Sequence, residues 1–113
     1  MKSLNRVTLL GYLAADVELH QTKKKNVIAT FSVVTNRNSI GEDGKKFEVA
    51  DFHRLTAFGH LGEICNKYIR KGSLVLAEGK LQNRSFDDKD GVKQYRTEIV
   101  LDYLNILSPP KVS

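Results

Sequence analysis

The sequence predicts an all-β domain, a five-stranded Greek-key barrel with one short α-helix between strands 3 and 4. Two observations lead there. Most of the chain consists of runs rich in β-branched and aromatic residues, separated by clusters of Gly, Asp, Asn and Lys. A single segment switches from strand-like to helical periodicity.

The first strand is read over Arg6 to Leu13, rich in Val, Thr and Leu and ending near Gly11 and the polar Asp16. Val27 to Thr35 is a near-continuous β-branched and aromatic run and forms the second. A loop is expected from Asn36 to Lys46, because Gly41-Glu42-Asp43-Gly44 are hairpin turn residues. The third strand runs from Phe47 to Phe58. Leu61, Ile64, Cys65, Tyr68 and Ile69 then fall on one stripe of a helix. Arg70 and Lys71 suit its negative C-terminal end, and Gly72 can supply a left-handed cap. Two more strands follow, Leu74 to Gln82 and Gln94 to Leu107, joined by a turn through Asp87-Asp88-Lys89-Asp90-Gly91. The domain is therefore placed at residues 1–107, with 108–113 a short disordered C-terminal end.

Three strands, a helix and two strands is the layout of the OB-fold, whose ligands cross strands 2 and 3 and the loops joining strands 1–2 and 4–5. An SH3-like barrel fits less well, because of the two-turn helix. The 113 residues suffice for one core, and 41% hydrophobic with 27% charged residues is globular composition. No window approaches a membrane span or a secretory signal. A single cysteine, Cys65, points to a reducing, cytoplasmic compartment. The net charge of +5 favours a polyanionic partner.

The arrangement of those charges is more specific than their sum. Side chains alternate faces along a strand, so Phe52, Arg54, Thr56 and Phe58 share one face while His53, Leu55 and Ala57 take the other. Lys80, Gln82, Arg84 and Phe86 likewise share a face. Two aromatics flanking a guanidinium make a poor core and a good platform for a single strand, whose bases stack on Phe and whose phosphates pair with Arg or Lys. Set singly against this reading, each Phe is an ordinary core residue. Phe58 divides evenly between the two, Phe31 and Phe47 are left to the core, and Phe86, in a loop beside Ser85 and Asp87-Asp88, favours binding.

Other features carry less. Lys23-Lys24-Lys25 reads as a solvated turn. Asp88, Asp90 and Gly91 resemble a calcium loop, but Phe86 and Thr97 occupy its first and twelfth ligand positions. His20, His53, His60 and Cys65 lack metal-ligand spacing, and Cys65 on the apolar stripe reads as inert core. There is no phosphate-cradling P-loop and no nucleophile elbow. Neither an enzyme nor a cofactor is expected.

Over nearly its whole length the chain resembles the bacterial single-stranded DNA-binding proteins of replication, recombination and repair. The resemblance rests on Asn5 to Leu13 with Asp16, on Phe52-His53-Arg54, and on Ala57-Phe58-Gly59. It continues through Tyr68 to Ser73, Glu78-Gly79-Lys80-Leu81 and Tyr95 to Val100, in the family's order and spacing. It implies that Phe52, Phe58 and Phe86 stack bases and that Arg54, Lys71 and Arg84 contact phosphates. Arg6 and His60 match positions that carry a basic DNA-contacting residue, and Lys80 joins the same face as Arg84. His53 matches a position between subunits, and the implied assembly is a homotetramer around which DNA wraps. The implied location is the cytoplasm, with the nucleoid.

Two departures qualify the resemblance. The chain has no Trp, which the family often carries where Phe52 and Phe86 stand, and a further family aromatic is replaced around Ser39 and Ile40. The family also continues into a flexible linker with an acidic tip that recruits partner enzymes, whereas this chain reads Lys111-Val112-Ser113. Either a truncated chain or a compact variant from a phage, plasmid or divergent bacterium fits that, and tail-mediated repair partners are not an expectation for it. Two further readings stay open beside sequence-independent binding of single-stranded DNA: a protein-interaction module on the same fold, and an RNA-binding, cold-shock-like role.

Overall fold

In the computed structural model, which describes residues 2–108, the expected strands close into a five-stranded barrel that carries a single helix. The strands are β1 (Val7–Leu13), β2 (Glu18–Gln21), β3 (Val27–Ile40), β4 (Lys46–Phe58), β5 (Leu74–Asp87) and β6 (Lys93–Ser108), with α1 (Gly59–Tyr68) between β4 and β5. Their order in the sheet is β1-β5-β6-β4-β3-β2, and a further pairing of β1 with β3 closes the cylinder. All neighbours are antiparallel except β4 and β6, which meet in parallel at Leu55↔Ile99 and Thr56↔Val100.

Alternation fills the interior. Phe31 and Val33 of β3, Leu55 and Ala57 of β4, Val75 and Ala77 of β5, and Ile99 and Leu101 of β6 are all buried. Cys65 of α1 and Ile69 just beyond it join the same core. Two glycines let strands approach closely, since a Cβ at Gly11 would meet the Val34 carbonyl oxygen and one at Gly79 that of Val100.

Several local expectations need correction. The strand β2 has no signal in the sequence, because Glu18-Leu19-His20-Gln21 is exposed at every position and has no apolar alternation. It exists only by pairing with β3 as an edge, and Lys23-Lys24-Lys25 lies at the tip of that hairpin, with Lys25 at φ 63°. The loop expected over Asn36 to Lys46 is mostly strand: β3 and β4 pair out to Ile40↔Lys46. This ribbon projects past the core, so Phe47 is 49% exposed and not a core residue. The next hairpin is also longer than expected, and Phe86 lies in β5 and not in a loop.

The helix ends differently too. Its last turn closes with Ile69 N–H donating to the Cys65 carbonyl, and Tyr68 points outward, 55% exposed. Gly72, at φ 90°, serves the following turn, where its N–H donates to the Leu13 carbonyl and Ser73 N–H to that of Arg70. Of the expected disordered end 108–113, Ser108 closes β6, and 109–113 lie outside the described residues.

Candidate nucleic-acid interface

On β4 the two faces separate as alternation requires. Leu55 and Ala57 have no exposed surface, whereas Phe52 is 67% and Phe58 50% exposed, with Arg54 exposed between them. Thr56 shares the outer face yet is buried, because its hydroxyl donates to Glu98 Oε2 at 3.1 Å. Glu98 lies on β6 with only 4% of its side chain exposed, and its Oε1 stands 3.8 Å from Arg84 Nε on β5. Thr56, Glu98 and Arg84 thus tie three strands into one outer surface.

The register of β5 against β6 completes that surface. Lys80 faces Val100, Gln82 faces Glu98, Arg84 faces Arg96 and Phe86 faces Gln94. Lys80, Arg84 and Phe86 are exposed on it, and Arg96 places its guanidinium 5.3 Å from the centre of the Phe86 ring. That distance is within the range of a cation–π contact. The result is a platform of flat rings interleaved with cations, from Phe52 and Arg54 across Glu98 to Arg84 and Phe86.

The remaining candidate residues lie elsewhere on the barrel and on α1. His60 follows Phe58 in the first turn of α1, its Nδ1 3.7 Å from Glu63 Oε2, and its side chain is largely exposed. Lys71 is exposed beyond α1, its backbone N–H donating to Asp16 Oδ1 at 2.8 Å. Asp16 and Glu18 line an open depression with Phe52 and Arg54. Arg6 precedes β1 and is held by Glu78 Oε2 at 3.0 Å. His53 points to the opposite face from Phe52, and its Nε2 lies 2.8 Å from Thr35 Oγ1.

Two members of the platform escaped the reading of the sequence. Glu98 had one usable signal, a lone carboxylate within the run Thr97-Glu98-Ile99-Val100-Leu101, which implies a buried acid with a partner. Arg96 had none, since only the pairing of β5 with β6 brings it to Phe86. Among the described residues no group of three or more His, Cys, Asp or Glu is placed to hold a metal ion, and no helix is long and apolar enough to cross a membrane.

Known proteins share this architecture. Residues 4–107 match the model of the single-strand binding protein family. The chain is 38% identical over 107 residues to single-stranded DNA-binding protein 1 of Chlorobaculum tepidum, covering 94% of this chain and 66% of that one. It is 33% identical over 105 residues to the single-stranded DNA-binding protein of Neisseria meningitidis, covering 93% and 60%. The chain thus spans 60% to 66% of the length of these two relatives. Among solved structures, the Plasmodium falciparum SSB complex with ssDNA superposes with a TM-score of 0.83 at 28% identity, over 96% of this chain and 98% of that one. A deletion mutant of the single-stranded DNA binding protein from Thermus aquaticus gives 0.78 at 28% identity, over 93% and 51%.

Proposed function

The chain belongs to the single-strand binding protein family, and on that premise we propose that it coats single-stranded DNA without regard to sequence, protecting it during replication, recombination and repair. The observation that carries this reading is the outer face of β4 and β5. Phe52, Phe58 and Phe86 are 67%, 50% and 39% exposed there, alternating with Arg54, Lys80 and Arg84. Exposed Phe rings set among cations offer flat apolar faces that a ligand's bases can cover. Stacked bases do so at about 1–3 kcal/mol each, whatever the base. The cations then pair with phosphates, and each neutralised phosphate adds about −0.7 to the slope of log K against log salt. Lys71, beside Asp16 at the depression lined by Phe52 and Arg54, and His60, next but one to Phe58, are further contacts for the strand, as is Arg6 just before β1.

The working unit in this proposal is a homo-oligomer, in family fashion a tetramer. Supporting it is a second exposed apolar area on the barrel side of β1, β5 and β6. Leu10 is 57% and Tyr103 48% exposed, Leu10 pairs with Leu76, and Tyr103 pairs with Glu78 beside it. Self-association would cover that area, and His53, on the face away from the bases, remains available to a subunit contact. The single cysteine suits the reducing cytoplasm in which chromosomal DNA lies.

Light scattering coupled to size exclusion tests both halves of the proposal, on the protein alone and with labelled oligo-dT at low and high salt. A tetramer that moves onto oligo-dT, less completely as salt rises, is the expected result. A monomer or dimer that ignores oligo-dT at low salt would refute the proposal and leave a protein-interaction module as the better reading. Stronger retention of oligo-U than of oligo-dT would instead make RNA the ligand.

A further inference from the structure

Arg84 and Arg96 stand directly opposite each other across β5 and β6. Directly opposed side chains in an antiparallel pair have Cβ atoms about 4.5–5.5 Å apart, and like charges so placed repel. The repulsion is only partly relieved inside the protein. Glu98 lies one outward position along β6, its Oε1 3.8 Å from Arg84 Nε, while its other oxygen accepts from Thr56. Arg96 has the Phe86 ring at 5.3 Å. The carboxylate is buried beneath and the two guanidiniums are exposed above, so the solvent side of the group is strongly positive.

We propose that Arg84 and Arg96 together clamp a single backbone phosphate, with Glu98 and Phe86 as the residues that position the two guanidiniums. The proposal rests on the single-stranded DNA reading above and names the group of that ligand which this part of the platform takes. A guanidinium presents a planar fork of N–H donors that matches phosphate oxygens. Two forks side by side can share one phosphate, and the anion between them removes their mutual repulsion. Because Arg96 covers one face of Phe86, a base stacks on the other face, next to the phosphate the clamp holds. Arg96 is thereby a DNA contact in its own right, whereas Glu98 acts only through Arg84.

The test is binding of fluorescein-labelled oligo-dT by anisotropy over a range of salt, for Arg96→Met, Arg84→Met and the double variant. Methionine keeps an apolar stem across the strand and removes the charge. Each single variant should lose on the order of tenfold in affinity, the worth of a hydrogen bond to a charged group. The slope of log K against log salt should scarcely change in either, because the remaining arginine still neutralises the phosphate. In the double variant the slope should become shallower by about 0.7, one phosphate's share. Thermal melting of Arg96→Met should match or exceed the parent, since one of two opposed like charges is gone. Arg96→Lys is the second variant, keeping the charge without the fork, and should lose several-fold in affinity with an unchanged slope.

Affinity within twofold of the parent for both Arg96 variants would overturn the clamp. So would a slope reduced by one phosphate in each single variant and by two in the double, which would mean separate phosphates. Failure of the parent itself to bind oligo-dT would sink the functional reading as well, which distinguishes that failure from failure of the clamp alone.

Discussion

Phe52 and Leu55 lie three residues apart on β4 and on opposite faces, and replacing each by alanine should separate binding from folding. Phe52 is 67% exposed, so only about a third of a side-chain area of roughly 200 Å² is covered in the free protein. At about 25 cal/mol per Å², losing those ~65 Å² costs no more than about 1.6 kcal/mol of stability. The same ring, covered by a base, should contribute about 1–3 kcal/mol to binding, a loss of roughly 5- to 150-fold in Kd for Phe52→Ala. Leu55 has no exposed surface and sits in the middle of the core. Its truncation should cost about 2–5 kcal/mol of stability, while affinity measured well below the new melting point stays near that of the parent. Urea unfolding followed by circular dichroism measures the first quantity, and anisotropy of labelled oligo-dT the second. The chain has no Trp, so the label must be on the DNA. If Phe52→Ala bound within twofold of the parent, or lost as much stability as Leu55→Ala, the ring would not be a stacking platform and the division of faces on β4 would be wrong in functional terms.

Further outcomes follow from three other parts of the fold. Gly79→Ala would drive a Cβ into the Val100 carbonyl oxygen, which cannot retreat without parting β5 from β6; urea unfolding should show a loss of about 3 kcal/mol or more. Burial pushes the Cys65 thiol up from 9.0 to about 11, so it should resist a thiol reagent at pH 8 until the protein unfolds. The folded chain keeps that proton to higher pH than the unfolded one, so between pH 9 and 11 this residue makes stability fall as pH rises, and Cys65→Ala should flatten that part of the pH profile. The N–H of Val92, then the side chain of Gln94, hold the Asp88 carboxyl below its ordinary range. Its bonds to the Asp90 and Val92 amides are therefore intact at neutral pH and are lost only as pH falls through that lowered value. Asp88→Ala should speed hydrogen exchange at those two amides while the barrel's melting temperature hardly moves.

What the sequence determined by itself is local. Residue-by-residue alternation put Phe52, Arg54 and Phe58 on one face and Leu55 and Ala57 on the other, because that pattern depends only on the extended backbone. The stripe Leu61, Ile64, Cys65, Tyr68 and Ile69 marks α1 for the same reason, since the period of a helix is a property of one segment, although Tyr68 at its last turn faces solvent and Ile69 lies just beyond it. The order of strands and helix then led to the barrel, as few folds accommodate it. Strand length was less legible where no core was involved: Asn36–Ile40 and Lys46 are polar or exposed, and they form strand only because each has a backbone partner across the ribbon. The expectation of a core Phe47 fails on that account, for its hydrophobicity says nothing about whether the barrel reaches it.

The tertiary structure alone decided which distant residues meet. Thr56 and Glu98 are 42 positions apart in the chain, yet one hydrogen bond between them anchors the middle of the platform. Arg96 faces Arg84 and covers Phe86 because β5 and β6 pair in one register, and a shift of a single residue would turn every side chain of one strand to the other face. Which face a residue takes is written in its own segment; which residue stands across from it is set by the packing of the whole barrel, in which all strands must satisfy their hydrogen bonds and bury their apolar faces at once.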